Sequence, residues 1–263
     1  MRNRLIGVLP LALVMATAAC GGSFTIDSDK DSKSSARDAG PVTTRGFALT
    51  GFTGVKVTGP DDVTIRQGDA FAITAKGPQG ELDQLEIVTD GSTLSIGRKR
   101  DGFSFGGRDH EGVEISITMP KLSMLRLTGS GSIDADSVDG DTLEATVTGS
   151  GDLKVAKMTG QSAKIAISGS GDVDIGGGTI NSGAISVTGS GDVDAKGLAA
   201  QTLDVSVAGS GNVEGQASGT ASINILGSGD VTLTGGATCT SREMGSEPQP
   251  ANDRALVPPP RTG

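Results

Sequence analysis

The 263-residue sequence has no tryptophan and no tyrosine, one histidine and two cysteines, and its 6 phenylalanines all lie at or before position 105. Each shortage removes a class of function. With His110 as the only imidazole, an HExxH zinc site is impossible and any Ser-His-Asp triad depends on that one residue. No Gly-x-Ser-x-Gly elbow, no Gly-Lys pair of a phosphate loop and no dinucleotide fingerprint occurs, so no enzymatic motif is present and no cofactor is implied. The 22 basic side chains, against 31 acidic, form no cluster, and a net charge of −9 repels a phosphate backbone. A nucleic-acid partner is therefore not expected. Cys20 and Cys239 lack any CxxC context.

Glycine is what the chain has in excess: 42 residues, more than double the usual share of roughly 7 % but far below the third that collagen requires. The reading is many turns. Near the N-terminus, Arg2 and Arg4 precede an apolar run, Leu5 to Ala16, followed by Thr17-Ala18-Ala19-Cys20-Gly21. This pattern is that of a secretory signal over 1–19, too short for a bilayer core that needs about 20 apolar residues. Small residues directly before a cysteine resemble the bacterial lipobox, which makes Cys20 the lipid attachment site and the bilayer a partner. Thr17 stands where leucine is usual, and a cut by an ordinary signal peptidase near Ala19 is the alternative. Residues 20–45 are rich in Ser, Asp and Lys and read as a solvated tether, with a coil reach of about 27 Å.

The strongest signal is a repeat. Gly-Ser-Gly recurs at Gly129, Gly149, Gly169, Gly189, Gly209 and Gly227, at spacings of 20 and finally 18. After each turn come alternating apolar residues, for example Val173 and Ile175 or Val193 and Ala195. A second alternating run, such as Leu203, Val205 and Val207, closes the unit. Period two means strand, so each unit reads as two short strands. Such a unit cannot bury its own apolar face, and stacking is the solution. The expected fold is all-β: a parallel β-solenoid with coils of about 20 residues over 129–240, with the six glycines as structural turns of positive φ. Residues 46–128 lack the period but remain strand-like and are expected to form an irregular first coil and a sheet capping one end. Within them, Gly59-Pro60-Asp61-Asp62-Val63 echoes Gly-Ser-Gly-Asp-Val. Residues 241–263 hold five of the ten prolines and are expected to be a disordered tail.

The run from Phe52 through GVKVTGPDDVTIRQGD, then TLSIG, then VEISITMPKLSMLRLTGSGS and the Gly-Ser-Gly-Asp ladder, resembles the auto-transporter adhesin head GIN domain of bacterial envelope proteins. The resemblance covers about residues 46–240 and implies a right-handed parallel β-helix on a signal-bearing or lipidated chain.

One pattern has possible chemistry. Asp152, Asp172, Asp192, Asn212 and Asp230 occupy equivalent positions, with Asp174 and Asp194 two residues on. Stacked at about 4.8 Å, neighbouring carboxylates repel by roughly 0.9 kcal/mol in bulk water unless amides or cations offset this. Hydrogen bonding to backbone N–H groups is the plain expectation; loose Ca²⁺ binding by hard carboxylate oxygens is the alternative, though GSGDVD is not the calcium-binding nonapeptide. Residues 129–240 carry 13 acidic side chains against 4 lysines. The sequence thus points to a non-enzymatic envelope lipoprotein presenting a solenoid as a structural or adhesion-type surface for an extracellular or envelope ligand. The alternative is a periplasmic accessory protein binding a small molecule or envelope component through the charged loop 98–111.

Overall fold

Between its glycine turns the chain alternates β-branched and polar residues, and nearly every such stretch is a strand. The computed structural model describes residues 40–99 and 112–244, all within one compact unit, Asp38–Gly263. The signal segment, Cys20, the first part of the tether, most of loop 98–111 with His110, and the tail from residue 245 lie outside the described residues.

In chain order the elements are β1 (Val42–Phe47), β2 (Gly54–Gly59), β3 (Asp62–Gln67), β4 (Ala72–Pro78), helix α1 (Gln79–Gln84), β5 (Leu85–Asp90), β6 (Thr93–Arg98) and β7 (Glu114–Met119). They are followed by β8 (Met124–Gly129), β9 (Ser132–Ala135), β10 (Val138–Gly149), β11 (Asp152–Val155), β12 (Met158–Gly169), β13 (Val173–Ile175) and β14 (Gly178–Gly189). The last four are β15 (Val193–Gly209), β16 (Val213–Gly227), β17 (Val231–Thr234) and β18 (Thr238–Met244). From β8 onward they stack as a parallel β-solenoid of about six turns. The register matches the repeat: Val173 pairs with Val193, Val193 with Val213 and Val213 with Val231. The six repeat glycines have φ between 119° and 139°.

Each full coil has three sides rather than two. In the ladder between β10 and β12, Gly140 pairs with Gly160 and pairing resumes only at Thr142 and Ser162. The chain bends there, so Met158–Gly160 lies on a separate side from Ser162–Gly169. A three-residue side carries one or two buried apolar residues, Val138, Met158, Ile180 or the pair Leu198 and Ala200, too few to show a period. The core is otherwise a narrow stack of Val, Ile, Leu and Ala.

The N-terminal region also departs from expectation, in order rather than kind. β2 and β3 form a regular coil, with Gly59 in register with Gly129, but this coil is second in space. β6 pairs with β2, and β7 with β3, on the side away from β8 and β9. The chain therefore builds one coil, adds another beneath it, and returns past Met119-Pro120 to continue above. Antiparallel strands finish this end: β5 on β6, β4 on β7 and β1 on β4. Phe52 and Phe71 pack there with ring centroids 4.8 Å apart. β1 takes up residues 42–45, read above as tether, because Val42 through Phe47 pairs antiparallel with Ile73 through Pro78 of β4. At the other end β18 continues the fold to Met244, four residues past the expected boundary, since Thr220 through Leu226 supply a ladder for it.

Candidate binding surface

The sheet built on the short strands β3, β9, β11, β13 and β17, with the first residues of β15 and β16, carries the acidic pattern on its outer face. Alternation turns Val173, Val193 and Val213 inward and leaves Asp172, Asp174 and Asp192 exposed. In the first column, Asp172 Oδ1 accepts the backbone N–H of Asp192 at 2.9 Å. Asp192 Oδ1 in turn accepts the Asn212 N–H at 2.7 Å and its side-chain amide at 3.0 Å. Asn212 Oδ1 then accepts the Asp230 N–H at 3.2 Å. The Asp172 and Asp192 carboxylates, and the Asn212 carboxamide, are thus each tied to a backbone amide of the next coil, which offsets the repulsion between the carboxylates. Asp152 begins β11 in register with Ser132.

In the second column Asp134, Lys154, Asp174, Asp194 and Glu214 follow one another in register. The Lys196 ammonium bridges Asp194 Oδ2 at 2.9 Å and Glu214 Oε2 at 2.6 Å. Burial pushes the Asp194 carboxyl up, but the hydrogen bonds from Lys196 outweigh it and hold the group below its ordinary value. The Lys196 ammonium is raised by Glu214 and Asp194. Among the described residues no three His, Cys, Asp or Glu side chains converge as a metal site. What the face offers chemically is a regular array of anionic oxygens on a rigid backbone, suited to a cationic counterpart.

A cluster not singled out by the sequence lies at the N-terminal end. Asp61 is fully buried, at the position held by the inward glycine of every later Gly-Ser-Gly turn. Its Oδ1 accepts the Val113 N–H at 2.9 Å and an ion-pair hydrogen bond from Arg98. Arg98 also donates to the Glu81 carbonyl at 2.9 Å and to Glu81 Oε2 at 3.0 Å. Burial pushes the Asp61 carboxyl above its ordinary value, and the Val113 amide and Arg98 only partly oppose that. Asp61 therefore joins the β2–β3 turn to the end of β6 and the start of β7. The trace in the sequence was a carboxylate where the echo of the repeat calls for glycine; its partner, 37 residues away, had none.

Cys239 is partly buried at the position of Ala221 in the preceding coil, as a small coil residue. An apolar void of about 10 Å³ lies beside Ile180, Gly183, Leu198 and Leu203, room for about one water and not for a ligand. No described helix is long and apolar enough to cross a membrane.

The family model described as "Putative auto-transporter adhesin, head GIN domain" matches residues 51–237, and the chain belongs to this family. Among solved structures, a "putative adhesin" of Parabacteroides merdae shares 18 % identity at a TM-score of 0.63, over 83 % of this chain and 95 % of that one. A "putative adhesin" of Bacteroides fragilis shares 19 % at 0.66, over 78 % and 95 %. A "putative lipid binding protein" of Parabacteroides distasonis shares 21 % at 0.61, over 83 % and 96 %. At these identities the likeness is one of fold. A search of the curated proteins gave no match.

Proposed function

We propose that the chain is a non-enzymatic lipoprotein of the bacterial cell envelope, held by acylated Cys20, whose solenoid serves as a structural or adhesion-type binding surface. The observation that carries this reading is the outer face of the short-strand sheet. Its two carboxylate-rich columns, interrupted by Asn212 in the first and Lys154 in the second, repeat with the coils on a hydrogen-bonded scaffold, and membership of the adhesin-head family supports it. The charge favours a cationic partner over an anionic lipid surface. The lipobox-like Ala18-Ala19-Cys20 supports anchoring, since two or three acyl chains hold a protein stably where one does not. The test is detergent phase partitioning with Cys20→Ser: the native chain enters the detergent phase and the variant the aqueous phase. Equal partitioning of the two removes the anchor from the account.

A second reading, a periplasmic accessory protein contacting a small molecule or envelope component through loop 98–111, draws support from the relative described as a lipid-binding protein and from the buried ionic cluster at Arg98. Ligand-induced melting shifts that vanish in Arg98→Ala favour this reading.

A further inference from the structure

The column of glycine turns is closed at its first member by residues that break its rules. In the later turns the middle serine donates its N–H to a glycine carbonyl of the coil beneath: Ser150 to Gly129 at 2.9 Å, Ser170 to Gly149 at 2.8 Å and Ser190 to Gly169 at 2.9 Å. The inward glycine is packed as closely. A Cβ at Gly151, Gly171, Gly191, Gly211 or Gly229 would run into a backbone carbonyl oxygen of that coil, so no side chain enters the column there. Gly59-Pro60-Asp61 holds the same place in the coil of β2 and β3. Pro60 has no N–H to donate, and Asp61 carries a fully buried side chain.

The coil beneath explains why a side chain is admitted here. Ile96 pairs with Val57 and Glu114 with Asp62, which puts Arg98 in step with Gly59 and Val113 in step with Asp61. Each later coil closes this corner with three consecutive residues; here the chain departs at Arg98 and returns at Val113. Among the described residues no carbonyl oxygen lies under Gly59. Apart from its neighbours in the chain, the nearest described atom to a Cβ at Gly59 is Asp61 Oδ2, at 3.9 Å, and that oxygen accepts no hydrogen bond among the described residues. The other oxygen, Oδ1, accepts the Val113 N–H at 2.9 Å and the Arg98 guanidinium. Beside these contacts, the Asp62 N–H donates to the Val113 carbonyl at 3.1 Å and the Lys99 N–H to the Gln84 carbonyl at 2.8 Å. One buried oxygen thus joins both ends of the interruption.

We propose that Pro60-Asp61 terminates the turn column: Pro60 withholds the amide that a further turn would engage, and Asp61 Oδ1 is a clasp that holds the departing chain at Arg98 beside the returning chain at Val113, so that β7 enters in register with β3. Asp61 is in this sense a positioning residue. The experiment is amide exchange of the full native chain beside two full-length variants, Asp61→Gly, which installs the residue the repeat uses, and Asp61→Asn, which keeps an acceptor for Val113 but no charge for Arg98. In Asp61→Gly the Val113 and Lys99 amides exchange at least about tenfold faster than in the native chain. Amides of β12 and β14 are unchanged, which separates release of the clasp from unfolding. In Asp61→Asn, Val113 returns to within about threefold of the native rate and Lys99 does not. Native exchange at Val113 in Asp61→Gly overturns the proposal, because glycine then serves this turn as it serves the others. So does an equal acceleration of the β12 and β14 amides, which makes Asp61 a source of overall stability alone. If Val113 is as fast in Asp61→Asn as in Asp61→Gly, Oδ1 does not act as its acceptor and the clasp is refuted.

Discussion

The Gly-Ser-Gly column makes a sharp energetic prediction at Gly171. A Cβ there lies 2.1 Å from the Gly151 carbonyl oxygen, 3.0 Å from the Gly151 nitrogen and 2.9 Å from Val147 Cγ1. The first two are backbone atoms and cannot rotate away. Restoring a contact of about 3.2 Å requires the coils to part by about 1 Å on a spacing near 4.8 Å. That strains the bonds that Ser170 and Gly171 donate to the Gly149 carbonyl, at 2.8 and 3.1 Å. Two weakened hydrogen bonds cost about 1 kcal/mol each, and overpacking adds about 1–3 kcal/mol. Gly171→Ala is therefore destabilised by about 3–5 kcal/mol. Gly183 is the internal control: the close contacts of its added Cβ are Leu203 Cδ1 at 2.8 Å and Ile180 Cδ1 at 3.0 Å, the ends of flexible side chains bordering the small void, while the nearest backbone atom, the Thr202 carbonyl oxygen, lies at an ordinary 4.0 Å. Gly183→Ala changes stability by less than about 1 kcal/mol, helped by the lower entropy of its unfolded chain. Urea unfolding of the two variants decides the matter. If Gly171→Ala is no less stable than Gly183→Ala, close coil stacking at this column is refuted.

The buried Asp61 carboxyl, raised by desolvation, binds a proton more readily in the folded than in the unfolded chain. Its contribution to stability is therefore full below the unfolded value near 3.8 and is lost as pH rises through the folded value. Melting of the native chain against Asp61→Asn should thus gain in favour of the native chain as pH is lowered from 7 toward 4, and the opposite slope shows that Arg98 dominates. On the acidic face, Asp192→Ala removes the acceptor of two hydrogen bonds from Asn212 and costs about 1 kcal/mol in chemical denaturation. Because these carboxylates are engaged by amides, millimolar Ca²⁺ shifts the melting temperature by no more than a few degrees; a larger rise reversed by chelator establishes a cation site.

What the sequence made legible was whatever repeats. Val173, Val193, Val213 and Val231 align by counting alone, and they pair in that register in the fold. The third side of the coils was hidden because it buries one apolar residue in three of them, Val138, Met158 and Ile180, and two in the next, Leu198 and Ala200, too few to show a period. The spatial order of the first coils was hidden for a different reason. β6 and β7 have the local pattern of any strand, and only contacts with β2 and β3 place them beneath rather than above. For the surface, the columns were countable, yet their stabilisation was not: the amide N–H groups that donate to Asp172 and Asp192 reach them through the offset between coils. Asp61 and Arg98 illustrate the limit, a pair separated by 37 positions and joined only by folding.

The adhesion-type claim requires the solenoid to be displayed to partners outside the cell, and protease shaving of intact cells tests it most directly. Immunodetection of residues 129–240, with a known periplasmic protein as control, should show this block released or lost while the control stays intact. Protection of the block until the outer barrier is broken contradicts the claim and places the protein in the periplasm.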